Sequence, residues 1–286
     1  KFNIWPNCKY DLNNLSKIIE YELNSLSLSL NSEGLIYNNL ILSKMLPFNK
    51  PRTKALDRIG PHNKQILDLI ICSMLGDLWG DKILGKKLDS VRFSIEQSIT
   101  NSAYIHYLTL LFFELGYCSR PVPFLVEKSD KIIKNRFNYR LSLFTYSNLV
   151  WIYDSFYGNE STATSVGEVG LVSKEGAVVK VKQKRVPSFI SDYLSPIGFS
   201  HWIMQEGSFK KGQGINLATN CFTFSDCEFL ANIINIKYNL KTSVVKTGNP
   251  NQWKISIWKE SMPLLSKMVN PHIIPEMKYK LNGNKN

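Results

Sequence analysis

The stretch HWIMQEGSFKKG, His201–Gly212, decides how this chain is read. An apolar run stops at Gln205-Glu206-Gly207 and turns basic at Lys210 and Lys211. The run starts upstream, in SPIGFSHWIM, and is apolar around most of its circumference, so it reads as a buried helix. A carboxylate at the C-terminus of such a helix opposes the macrodipole, which places negative partial charge there. Glu206 therefore needs a reason.

The same construction occurs earlier. QILDLIICSMLGD reads as a second apolar helix, ending at Gly76-Asp77, and 206 − 77 = 129 positions separate the two acids. The segments downstream of the two acids are also alike. After Asp77 come a polar loop, the alternating strand SVRFSIE, a helix NSAYIHYLTLLFFELGY starting at Asn101-Ser102, a strand YRLSLFTY and a helix SNLVWIYDSFY. After Glu206 come GQGINLATNCF, a helix TFSDCEFLANIINIKYNL starting at Ser225, a strand QWKISIWK and a helix SMPLLSKMVNPHI. A repeat this long describes two similar subdomains, not a solenoid, whose period is about 20–50 residues. The small residues Cys72, Ser73 and Gly76 in one helix, and Gly198 and Ser200 in the other, allow the two backbones to pack closely. Side-by-side packing would bring Asp77 and Glu206 together.

Two neighbouring carboxylates at helix C-termini repel unless a cation lies between them. Carboxylates, waters and substrate phosphates are the ligands Mg²⁺ takes, and acids holding metal against a phosphodiester is the logic of metal-assisted hydrolysis. Asp77 and Glu206 are thus the expected metal ligands, with Mg²⁺ or Mn²⁺ as the cation. For either acid alone a solvated helix end is the simpler account; their matching places in a repeat favour a site. Asp81, one turn on, reads as a loop charge. The lysines after Glu206 would meet phosphates.

Composition agrees. Thirty-five Lys and Arg against 23 Asp and Glu give a net charge of +12, which favours a polyanionic partner, nucleic acid before a membrane surface. Five cysteines, an odd number without CxxC spacing, suit reduced thiols and argue against a zinc cluster. No apolar run approaches the ~20 residues of a membrane span, and the opening residues do not read as a signal peptide, which leaves a removed transit segment open. Heavy use of Asn, Ile, Lys, Leu and Tyr fits an AT-rich organelle genome. We divide the chain into an N-terminal extension and linker (1–64), a first half (65–158), a linker or hairpin insertion (159–185) and a second half (186–286). The exposed sheet faces are expected to carry Arg92, Gln97 and Arg140 in the first half, and Asn216, Thr219, Asn220, Lys254 and Lys259 in the second. Arg, Asn and Gln read base edges in the major groove, whereas Lys meets phosphates. A plain wet sheet face explains any one of them as well.

With these residues in place, the chain resembles the LAGLIDADG homing endonucleases, in particular the two-motif monomeric enzymes of fungal mitochondrial group I introns. ICSMLGDLWGD resembles the first motif and FSHWIMQEG the second, and KRVPSFISDYLSP, NLATNCFTFSDCEFLANIINIKYNL and HIIPEMKYKL extend the likeness from Ile66 to Leu281. The resemblance implies an α+β fold of two pseudo-symmetric αββαββα halves, packed through their motif helices, with saddle-shaped antiparallel sheets on double-stranded DNA. It implies Mg²⁺-dependent double-strand cleavage at a long asymmetric site, in the mitochondrial matrix. It also implies that Lys184 and Lys280 flank the two active sites as catalytic groups, and that Gln97, or Glu96 in a shifted alignment, is a polar group near the first. In the second motif Gln205-Glu206 replaces the usual Asp-Asp, a departure that leaves weakened cleavage open. The alternative function is a maturase that assists splicing of group I intron RNA on the same basic scaffold.

Overall fold

The computed structural model describes residues 52–58, 61–128, 136–158, 171–172, 178–179 and 184–283. The N-terminal extension up to residue 51 and most of the 159–185 insertion lie outside them. The described residues fall into two compact units, the first within Lys1–Arg58 and Gln97–Phe144, the second within Ile59–Glu96 and Thr145–Asn286.

The second unit opens with helix α1 (Lys64–Met74), started by Asn63, whose side chain accepts from the Gln65 N–H at 2.9 Å. Strand β1 (Leu78–Ile83) comes next and pairs antiparallel with β2 (Ser90–Ser98), Leu78 opposite Ile95 and Asp81 opposite Arg92. Side chains alternate across a strand, so Val91, Phe93 and Ile95 turn inward and are fully buried, while Arg92 points to solvent. Helix α2 (Ser102–Glu114) belongs to the first unit and buries Tyr104, Ile105, Leu108 and Phe112. Strands β3 (Phe124–Lys128) and β4 (Arg136–Tyr146) pair antiparallel in that unit, Phe124 opposite Arg140. β1 with β2 and β3 with β4 are thus two antiparallel pairs. Helix α3 (Val150–Tyr157) completes the first pass.

A two-residue ribbon, β5 (Leu171–Val172) with β6 (Val178–Val179), and a short helix α4 (Ile190–Tyr193) lead to the second pass. Helix α5 (Pro196–Glu206) has proline in its first turn and Ser195 as its cap, accepting from the Gly198 N–H at 3.3 Å. Then come β7 (Gly207–Lys210), β8 (Gly214–Ala218), α6 (Phe224–Tyr238), β9 (Thr242–Lys246), β10 (Trp253–Trp258), α7 (Met262–Val269) and the terminal turn α8 (Tyr279–Asn282). Strands β7–β10 form a four-stranded antiparallel sheet, in the order β7-β8-β10-β9. Ile215, Leu217, Ile255 and Ile257 are fully buried on its inner face, against α6. The opposite face lines up Ser208, Asn216 and Ser256 across three strands. The order helix, two strands, helix, two strands, helix is thus present twice, as the motif reading requires.

Three local readings are corrected. α1 ends at Met74, not at Gly76-Asp77, and residues 75–77 form a turn. α6 starts at Phe224, one residue before Ser225, with Thr223 as its cap, because Thr223 and Asp226 close a capping box that satisfies two backbone donors. The segment after Asp77, read from sequence as a polar loop, opens with strand β1, and Gly207–Lys210, given no element from sequence, is strand β7.

Helices α1 and α5 pack against each other along their lengths. Gly198 is a point of close approach: a Cβ there would lie 2.6 Å from Cys72 Sγ and 3.1 Å from the Asp68 carbonyl. Ser200, His201, Trp202 and Ile203 are fully buried in the same helix, and burial pushes His201 down to about 3, a neutral core imidazole.

Candidate metal centre and nucleic-acid face

Asp77 and Glu206 each stand one residue before a first strand, β1 or β7. The two helix ends are tied together by the residue next to Glu206. Gln205 is buried; its Oε1 accepts from the Asp77 N–H at 2.9 Å and its Nε2 donates to Ser73 Oγ at 2.9 Å. An amide can do both, whereas an ionised carboxylate can only accept, which gives Gln205 a physical purpose at this step. Gly207 lets the chain pass straight from α5 into β7, since a Cβ there would meet the Ile203 carbonyl at 2.5 Å.

Electrostatics report the convergence. Glu206 is pushed up to about 7, first by burial and then by the charge of Asp77, with Lys280 and Lys184 pulling the other way. Burial holds Lys184 below the ordinary lysine value, opposed by Cys221, Asp77 and Glu206. Lys184 Nζ donates to the carbonyls of Met74 (3.0 Å), Gly76 (3.1 Å) and Leu78 (2.6 Å), and Lys280 Nζ donates to the Gln205 carbonyl at 3.0 Å. Each acid therefore has a lysine at its own helix end, brought from a distant segment.

Among the described residues no group of three or more His, Cys, Asp or Glu side chains is placed to hold a metal ion. The candidate donors are the two hard carboxylates of Asp77 and Glu206. This set fits a hard divalent cation held by one or two carboxylates, with the remaining positions filled by water and phosphate oxygens. The raised Glu206 is the sign of two acids that a cation would relieve.

A shallow, open depression runs from Glu206 onto the second sheet, lined by Ser208, Lys210, Asn216, Ala218, Asn220, Thr247 and Lys254. Lys210, Lys211, Asn220 and Lys259 are exposed and Lys254 is half-buried, as a phosphate-facing surface needs. On β2 Arg92 is exposed, and on β4 Arg140 is half-buried. Three expected face residues are corrected. Gln97 is buried on the inward side of β2, where it accepts from Asn101 Nδ2 at 2.9 Å, because it shares the parity of Phe93 and Ile95. Thr219 is buried and donates to the Trp253 carbonyl at 2.8 Å. Asn216 points to the depression but is only 8% exposed. Glu96, the alternative to Gln97, lies on the outward side of β2 and is half-buried. Sequence reasoning missed the tie made by Gln205, and missed Cys221, which lies within reach of the Lys184 and Glu206 charges.

The chain belongs to the LAGLIDADG DNA endonuclease family, whose profile matches residues 67–166 and 174–265. It is 35% identical over 84% of its length to the cytochrome b mRNA maturase bI2 of Saccharomyces cerevisiae, of which it covers 52%. It is 30% identical over 85% of its length to the protein of the same name from Debaryomyces hansenii, of which it covers 83%. The chain thus spans about half the length of the Saccharomyces relative. Its fold is that of the homing endonuclease I-WcaI, solved bound to its DNA recognition sequence: TM-score 0.61, 24% identity, covering 84% of this chain and 96% of that one. No helix among the described residues is long and apolar enough to cross a membrane.

Proposed function

We propose that this protein is a site-specific DNA endonuclease that cuts both strands of a long, asymmetric target, using a divalent cation, Mg²⁺ or Mn²⁺, held by Asp77 and Glu206. The observation that carries the reading is the meeting of the two motif-helix ends through Gln205, with the Asp77 charge felt at Glu206. When bound, the cation would polarise the scissile phosphate and lower the pKa of the attacking water. Asp77 and Glu206 orient it, and the Gln205 amide fixes the Asp77 turn in register with Ser73. Lys210, Lys211, Lys254 and Lys259 supply sequence-independent phosphate contacts. Arg92, Arg140, Asn216 and Asn220 are the candidates for base edges and backbone register.

A single chain with two unlike halves suits a non-palindromic target and needs no second copy, so we take the active form as a monomer. We also propose the division at 64, 158 and 185, and a mitochondrial location. A second reading is favoured by the names of the two curated relatives above: a maturase that binds group I intron RNA.

The test is incubation with duplex DNA carrying the uninterrupted insertion site, with Mg²⁺ or with EDTA, beside Asp77→Asn and Glu206→Gln. Metal-dependent double-strand cuts that both variants lose are the expected result. Intact DNA together with faster intron splicing would replace this reading by the maturase.

A further inference from the structure

We propose that Lys184 is a positioning residue: its ammonium clamps the turn that carries Asp77, and it acts on the chemistry through that turn rather than on the phosphodiester. An ammonium has three protons. Those of Lys184 face three carbonyls, Met74 in the last turn of α1, Gly76 just before the acid and Leu78 just after it. One cation therefore fastens helix end, turn and first strand residue. The last carbonyls of a helix have no partner within the helix, and a cation there complements the macrodipole. To donate to a phosphate oxygen, Lys184 would have to release one of these acceptors.

The placement is prepared from outside the turn. The Arg185 N–H donates to the Phe156 carbonyl at 2.7 Å and the Val186 N–H to Asp226 Oδ1 at 3.4 Å. The backbone beside the lysine is thus pinned to α3 and to the first turn of α6 before the side chain reaches α1. At the other acid, Lys280 reaches the carbonyl of Gln205, the residue immediately before Glu206.

Amide hydrogen exchange on the full chain, without metal or DNA, tests the clamp at Asp77 and Leu78. Lys184→Met is expected to raise exchange at these two amides by about tenfold or more while α6 and β8 keep their protection. Lys184→Arg, which keeps charge and donors, is expected to stay within about threefold of the wild type. A folded Met variant with unchanged exchange in the turn would overturn the proposal. If the Met variant does not fold, the Arg variant decides: a protected turn supports the clamp and a loosened one refutes it. Cleavage adds a second arm, which rests on the endonuclease reading. An Arg variant with a protected turn that cuts at under about 1% of the wild-type rate would give Lys184 a direct chemical role and overturn the proposal; cutting within about tenfold supports it. Should the wild type cut no DNA, the endonuclease reading falls and exchange alone decides the clamp.

Discussion

At the scale of single residues, the proposed site is two acids held in an arrangement that each alone would avoid. Glu206 shows the strain, pushed up to about 7 by burial and by Asp77. Linkage gives the sign of the consequence. A carboxyl whose pKa is higher in the folded protein favours folding while protonated. That contribution is present in full below the unfolded value and is lost as pH rises through about 7. In metal-free protein the melting temperature of the wild type is expected to fall between pH 5 and pH 8 relative to that of Glu206→Gln, and a divalent cation at pH 8 to recover it. Parallel melting curves for the two proteins would remove the strain from the account. Gln205 gives a separate expectation. Gln205→Leu leaves the Asp77 N–H and Ser73 hydroxyl without their amide partner, which costs about 1–3 kcal/mol for a buried group, read by urea unfolding. Asp77 and Glu206 were singled out in the sequence because an acid at the end of an apolar helix is anomalous and occurs at two matching places. The inward position of Gln97 was misread, although alternation from Phe93 and Ile95 carries it. Gln205 was not: its use depends on where Ser73 and Asp77 lie on another helix.

At the scale of elements, the account depends on how closely α1 and α5 pack. Gly198 against Cys72 leaves no room for a side chain. Gly198→Val is expected to destabilise the fold by about 1–3 kcal/mol, the usual range for overpacking. It should reduce cleavage further, by about 10²-fold, because a shift of about 1 Å between the helix ends misplaces the acids. Unchanged stability in denaturant titration would contradict the packing. Both helices were legible from their apolar runs. The first strands were not, because LWGDKI and GSFK are short, contain glycine and begin directly at the acids. Their partners in the sheets, not their own alternation, make them strands. The start of α6 carried a readable signal in Thr223 and Asp226, spaced as a capping box.

At the scale of the whole molecule, repetition in one chain links the levels. Two passes of the same element order bring two helix ends together, and the lysines that cap those ends come from positions just before and late in the second pass. Base readout was not legible, because which side chains face outward depends on strand register, and Thr219 is turned inward and hydrogen-bonded there. The most direct test of the central claim is Mn²⁺ titration tracked by the loss of the free-ion electron paramagnetic resonance signal. It would be run at pH 8 on the wild type, Asp77→Asn and Glu206→Gln. We predict that the wild type takes up Mn²⁺ and that either single substitution weakens uptake by about tenfold or more. Uptake that is the same in all three proteins would contradict a cation shared by Asp77 and Glu206.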